Sequence, residues 1–160
     1  MTAVIKMTDI REIIKQRVLV LDGAIGTMIQ QYQLEEDDFR GYRFRNASGM
    51  LKGNNDMLNI TRPDVIEDIH YKYLRAGADL ITTNTFSSQR ISQADYHLEG
   101  FSREMAFEGA RIAKKCAETY STPEHPRFVC GSVGPTNKTC SMSPDVNDPA
   151  ARDMDYDTLL

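Results

Sequence analysis

Three short apolar runs, separated by two segments of helical periodicity, constrain this chain more than any other feature of its sequence. The runs are VLVL at 18–21, DLITT at 79–83 and RFVCGSV at 127–133. Apolar residues without alternation are the pattern of a strand covered on both faces of a parallel sheet. Each run finishes in glycine or polar residues: Asp22-Gly23, then Thr83-Asn84-Thr85, then Gly134-Pro135-Thr136-Asn137. Between the first two, Val65, Ile66, Ile69, Tyr73 and Leu74 fall on one helical face, with a cap expected at Thr61 and Asp64 and a stop at Ala76-Gly77. Between the last two, Phe101, Met105, Ile112 and Cys116 make a stripe with Ala106, Ala110, Ala113 and Ala117 beside it. Gly109 weakens that helix by about 1 kcal/mol relative to alanine unless close packing needs it. A short opening helix is expected before the first run, where Asp9 and Glu12 can form a capping box. The order β-α-β-α-β argues for a parallel α/β sheet with helical, right-handed crossovers.

A barrel is favoured over an open doubly wound sheet. Gly23-Ala24-Ile25-Gly26 has the wrong spacing for a dinucleotide loop, and no GxxxxGK occurs. Polar residues sit at the C-terminal end of every run, where a (β/α)8 barrel gathers its active site. Three runs cannot close a barrel of eight units, so the chain reads as one domain, 1–160, forming the N-terminal part of a longer one. DYDTLL at 155–160 has the character of a further helix turn. With 41% hydrophobic and 26% charged residues the composition is that of a soluble globular protein. No run approaches a membrane span, the N-terminus is not a secretory signal, and a cytoplasmic location follows. A net charge of -4 gives no reason to expect nucleic acid. Cys116, Cys130 and Cys140 lack disulfide or zinc-knuckle spacing and read as buried structural thiols. His70, His97 and His125 have no partners at ligand spacing.

From residue chemistry alone, Asp22 either caps the helix that follows or pairs with a ligand cation or proton. Gly23 and Gly26 permit close backbone approach, either to a ligand or in a plain tight turn. Thr83, Asn84 and Thr85 suit hydrogen bonding to a polar substrate, or strand-end capping. The longest connection, 33–61, carries Glu35-Glu36-Asp37-Asp38, three arginines and Gly53-Asn54-Asn55-Asp56, and its charges read as a locally paired, solvated surface.

Taken in order, VLVLDGAIGTMIQ, DDFRG, LKGNND, AGADLITTNTF and GPTNKT with SPDVNDPA resemble the N-terminal homocysteine-binding region of the cobalamin-dependent methionine synthases, over nearly the whole chain. The resemblance implies a (β/α)8 TIM barrel with homocysteine at its C-terminal face and its sulfur on zinc. Methyl transfer from methylcobalamin would give methionine, and methyltetrahydrofolate would recharge the cobalamin on other domains. The implied partners are therefore homocysteine, the remaining barrel segment, and the folate and cobalamin domains. By position, Asp22 would meet the homocysteine amino group and the backbone at Gly23 and Ala24 its carboxylate. Thr83, Asn84 and Thr85 would line the pocket, and Gly134 would let the third strand end approach it. Ala24 departs from a second glycine common in the family. The family's zinc cysteines lie in Asn-Cys and Gly-Gly-Cys-Cys segments that do not occur here, so ligands for neither zinc nor cobalamin are identified and the chain alone is expected to be inactive. Alternatives are a stand-alone zinc-dependent homocysteine S-methyltransferase using S-methylmethionine or betaine, and a non-catalytic remnant.

Overall fold

Eight helices and two short parallel strands are formed along residues 9–159, the part of the chain that the computed structural model describes. In order these are α1 (Ile10–Ile13), α2 (Ile25–Gln30), α3 (Glu36–Arg40), α4 (Leu58–Thr61), α5 (Pro63–Arg75), β1 (Leu80–Thr82), α6 (Arg90–Gln93), α7 (Ser102–Tyr120), β2 (Phe128–Cys130) and α8 (Tyr156–Leu159). Short 3-10 turns occupy Asn55–Met57, Ala94–Tyr96 and Glu99–Phe101. The fold is mixed α/β with parallel strands.

The two long helices appear where periodicity places them. Helix α5 begins with Pro63 at its first turn, where the ring's fixed φ suits a helix and no N–H is missed. The cap expected at Thr61 is not made: the Thr61 hydroxyl donates back to the Met57 carbonyl (3.3 Å), and Asp64 pairs with Arg62 (2.8 Å). The stop is a Schellman motif, with Gly77 at φ +107° and the Ala78 and Gly77 N–H groups donating to the Tyr73 and Leu74 carbonyls, each at 3.1 Å. At α1, Asp9 accepts from the Arg11 N–H (2.9 Å), a simple cap in place of the expected box. Helix α7 buries Met105, Ile112, Ala113, Cys116 and Ala117 against Ile66, Ile69 and Leu74 of α5 and Ile81 of β1. Each large side chain so buried is worth about 2 kcal/mol.

The sheet is smaller than the sequence suggests. Strands β1 and β2 pair in parallel, Leu80 with Phe128, Ile81 with Val129 and Thr82 with Cys130. The expected first strand, 18–21, meets β1 at a single parallel bridge, Leu21 with Leu80. Its ladder cannot lengthen towards the N-terminus, because the Asp79 and Leu80 N–H groups converge on the Val20 carbonyl (2.8 and 3.1 Å) and the Val20 N–H is taken by the Asp79 carboxylate (2.9 Å). Burial on both faces is also not observed, for Val18, Val20 and Leu21 are 86%, 56% and 55% exposed. Helices α5 and α7 cover one face, where Ile81 is fully buried, while Leu80 and Thr82 on the other face are only half-buried. The third run is likewise trimmed from 127–133 to Phe128–Cys130.

Asp79 organises the N-terminal end of this sheet. Its buried carboxylate takes both Arg17 guanidinium nitrogens (2.9 and 2.7 Å), the Val20 N–H and the His125 Nε2 (2.8 Å). Arg17 foremost, with the Val20 N–H and His125, holds Asp79 far below the usual carboxylate range against the opposing effect of burial. In the segment 33–61 the expected local pairing is made between Glu36 and Arg40 (2.7 Å), and Glu35, Asp37, Arg43 and Arg45 are exposed, but the segment is not solvated throughout. Leu34, Phe39, Phe44, Leu51, Met57 and Leu58 join the core. Glu36 accepts from the Leu51 and Lys52 N–H groups (2.9 and 2.7 Å), and Arg40 donates to the Ala47 carbonyl (2.8 Å) and to that of Gly49. Those charges fasten backbone. Of the cysteines only Cys116 is buried; Cys130 and Cys140 are half-buried and all three are free.

Two titrations should separate on the pH axis. His70 is fully buried on α5 with neither ring nitrogen hydrogen-bonded, and burial lowers its pKa to about 4. The unfolded chain takes up that proton near pH 6.5, so stability falls as pH drops from about 6.5 to about 4, by up to about 3 kcal/mol. His70→Leu should flatten urea-unfolding stability over that window; an unchanged slope would assign it elsewhere. Asp79, depressed in the folded state, contributes above about pH 4 and loses its contribution below. Asp79→Asn should cost about 3 kcal/mol at neutral pH in the same measurement, and a loss under about 0.5 kcal/mol, the level of an ordinary surface change, would refute its role as the clamp.

Candidate functional site

The chain leaves the sheet at Asp22, and the Asp22 side chain continues the pairing that the backbone abandons. The Thr82 N–H donates to Asp22 Oδ2 (2.8 Å) and the Thr82 hydroxyl to Oδ1 (2.5 Å). Burial holds the Asp22 carboxyl above its usual range, with the two Thr82 donors opposing. Asp22 does not cap the next helix, for the residue at that position is Ala24 and no side chain bonds there. Among the described residues no protein acceptor takes the Gly23 or Ala24 N–H. Gly23 is tight against protein as well, since a β-carbon there would lie 3.0 Å from the Tyr73 hydroxyl.

Above these strand ends lies a cavity of about 540 Å³. One wall is the turn from Gly23 to Gly26, a second is Gly53 to Asp56, and the floor is Thr82, Thr83 and Asn84. Phe86, Ser87, Asp95 and Tyr96 form the remaining side. Gly23, Ala24, Thr83 and Asn84 are thus brought together, with Asp22 behind Thr82. Thr85 is not in this group. It lines a smaller, apolar hollow of about 330 Å³ with Ala106, Ala110 and Val133, and its hydroxyl joins Thr83 (2.6 Å) and the Ser132 carbonyl (2.8 Å). Gly134 is set against Phe86: its N–H donates to the Phe86 carbonyl (3.0 Å), and a β-carbon would fall 2.4 Å from that oxygen.

The second wall contains residues that sequence reasoning left in a surface loop. Asp56 is buried, and its Oδ2 accepts from the Ser87 N–H and the Ser88 hydroxyl, both at 2.7 Å. Burial raises the Asp56 carboxyl above its usual range, with Ser88 and Ser87 opposing. Asn54 and Gln93 exchange two side-chain bonds (2.7 and 3.1 Å) in the core. Asn84 donates to the Asn55 carbonyl (2.8 Å) and to Asn59 Oδ1 (3.1 Å), while Asn59 returns a bond to the Asn84 carbonyl (2.7 Å) and another to that of Met105 (3.0 Å). The available signal was the run Gly53-Asn54-Asn55-Asp56, whose amides are too many for a solvated loop to require.

The described residues do not fit a zinc site. No group of three or more His, Cys, Asp or Glu among them is placed to hold a metal ion. Cys116 is packed beneath α5 and burial pushes its thiol up to about 11, the opposite of what a ligand thiolate needs.

The profile of the homocysteine S-methyltransferase family matches residues 19–160. Two solved structures of the homocysteine methyltransferase MmuM from Escherichia coli are similar in fold. The metallated form is 24% identical with a TM-score of 0.60, over 78% of this chain and 41% of that one. The oxidised form is 25% identical with a TM-score of 0.60, over 78% of this chain and 40% of that one. The chain therefore spans about two fifths of the length of these relatives.

The amide network behind the cavity floor depends on a glycine of α7. A β-carbon on Gly109 would lie 2.6 Å from Asn59 Nδ2 and 2.7 Å from Thr85 Cγ2. Gly109→Ala should therefore destabilise the protein by about 1–3 kcal/mol through loss of the Asn59 bonds, although alanine is the better helix former by about 1 kcal/mol. Thermal unfolding checks the sign; a rise in Tm would mean that Asn59 gives way freely.

Proposed function

The chain belongs to the homocysteine S-methyltransferase family, and on that premise we propose that it forms the first β/α units of a (β/α)8 barrel that holds homocysteine for methyl transfer. The order of its strands supports the barrel. The segment at 18–21, β1 and β2 lie side by side in chain order with α5 and α7 on one face, the winding of a barrel, whereas doubly wound sheets carry helices on both faces. The observation that carries the substrate reading is the pairing of two unbonded N–H groups, Gly23 and Ala24 on the cavity wall, with the half-buried Asp22 carboxylate, held just behind Thr82 of the cavity floor. That arrangement complements a zwitterion: N–H donors for its carboxylate, an anion for its ammonium.

In this reading Asp22 keeps its two Thr82 bonds and offers its remaining lone pairs to the ammonium, so Thr82 fixes the direction of approach. Asn84, locked by Asn55 and Asn59, and Thr83 complete the floor. Zinc, where bound, converts the homocysteine thiol of pKa about 8.5 into a thiolate. The described residues offer it no ligand cluster, and the part left to this chain is to bind and orient the amino-acid end. The LKGNND and SPDVNDPA segments favour the cobalamin-dependent methionine synthase type over a stand-alone enzyme, with methylcobalamin as donor and the folate and cobalamin domains as partners. Calorimetric titration of the chain with L-homocysteine tests the reading, and absence of binding would overturn it. Asp22→Ala should weaken binding by about tenfold or more, the worth of one hydrogen bond to a charged group; unchanged affinity would remove Asp22 from the ammonium site.

A further inference from the structure

The cavity carries a second carboxylate whose chemistry the reading above leaves unused. Asp56 is only 4% exposed, yet it lines the cavity. Both of its hydrogen bonds, from the Ser87 N–H and the Ser88 hydroxyl, fall on Oδ2. Oδ1 accepts nothing from the protein among the described residues, and it is not one of the sealed, unsatisfied atoms of the interior. A buried carboxylate with one oxygen tied to backbone and the other free towards a cavity is costly unless a cation reaches it. Among the described residues no lysine, arginine or histidine lines the cavity, whereas Asp56 and Asp95 both do. Asp95 is occupied by the Asn137 amide (2.7 Å). The described residues thus supply no counter-charge in the cavity, which leaves that charge to the ligand.

We infer that Asp56 is a ligand-binding residue whose free Oδ1 accepts a hydrogen bond from the ammonium group of the amino acid held in this cavity. The inference rests on the homocysteine reading and adds to it a second anionic contact, which makes the site selective for an amino acid over the corresponding thiol acid. An ammonium has three N–H donors, so a bond to Asp56 leaves two for other acceptors, Asp22 among them. The clasp on Ser87 and Ser88 has its own part, since it fixes Oδ1 in place and joins the second wall of the cavity to the loop after β1.

The test compares L-homocysteine with mercaptobutanoate, which has the same thiol and carboxylate and no amino group, by calorimetric titration of the 160-residue chain. Wild-type protein should prefer homocysteine by about a hundredfold, about tenfold from each carboxylate. Asp56→Asn should cut that preference by about tenfold by weakening homocysteine alone, leaving the part that Asp22 supplies. Equal weakening of both compounds, or a preference undiminished by the substitution, would reduce Asp56 to a structural clasp and overturn the inference while leaving the homocysteine reading intact. Failure of wild-type protein to bind either compound would overturn both. Ser88→Ala, which removes one clasp bond from Oδ2, should lower Tm and keep the preference. Should Asp56→Asn not fold, the carboxyl carbon resonance of Asp56 in wild-type protein decides the matter. It should shift on addition of homocysteine and not of mercaptobutanoate, and a shift with both or with neither would refute the contact.

Discussion

Asp79 ties two distant pieces of chain, 17–20 and the segment around His125, to the start of β1, and the short sheet depends on it. The residues it gathers, Arg17, Val20 and His125, are brought together by one carboxylate at the start of β1. With ladders of three residues the backbone bonds of β1 and β2 are few, so strand placement relies on side-chain ties. At the opposite end, one carboxylate again replaces missing ladder, through the two bonds from Thr82 to Asp22. The two acids differ in what surrounds them. Asp79 is met by cations and is held well below the carboxylate range; Asp22 is met only by neutral donors, and burial raises it. A paired acid is spent on structure, whereas an acid without a counter-ion keeps an unmet demand for positive charge.

The same contrast orders the long excursion at 33–61. Its charged first half is structural, with Glu36 and Arg40 satisfying backbone groups around the turn at 47–52. Its amide-rich second half faces the cavity and carries Asp56 without a cation. Amides suit such a wall, since Asn54, Asn59, Asn84 and Gln93 donate and accept at once and can close a buried network with no ion to desolvate.

The parts of this fold that periodicity encodes were legible in the sequence. Helices α5 and α7 stand where their apolar stripes fall, and the parallel pairing of β1 and β2 follows from the helical crossover. Of the positions that the resemblance put at a site, Gly23, Ala24, Thr83 and Asn84 share one cavity. What was not legible depends on partners distant in sequence. VLVL cannot reveal that Asp79 will take the Val20 N–H and cut its ladder short. Nothing local to Gly134 or Thr85 shows that Phe86 and Ser132 are their neighbours. Within the acidic run at 35–38, Glu35 and Asp37 are the exposed surface the sequence suggests, whereas the backbone partners of Glu36, the N–H groups of Leu51 and Lys52, carry no signature in a sequence. Gly109 is the instructive intermediate: its helix cost was visible, while the reason for it, the Asn59 amide at 2.6 Å, belongs to the fold.

The half-open face of the sheet bears on the barrel reading in a way that the covered face cannot. Register places Leu21, Leu80 and Phe128 in one row across three neighbouring segments, and Thr82 and Cys130 in the row above it, with the Asp22 carboxylate bonded to Thr82. An apolar row beneath a polar one is how a barrel interior is layered, with packing side chains below and functional groups at the C-terminal rim. In an open sheet this face would need its own layer of helices, and the chain from β1 to β2 sends its helix to the opposite side. The exposure of Leu21 at 55% then has a physical meaning on the barrel reading: an apolar row left half-open on this face is what a closed interior would cover, while the polar row above it already floors the cavity of this chain.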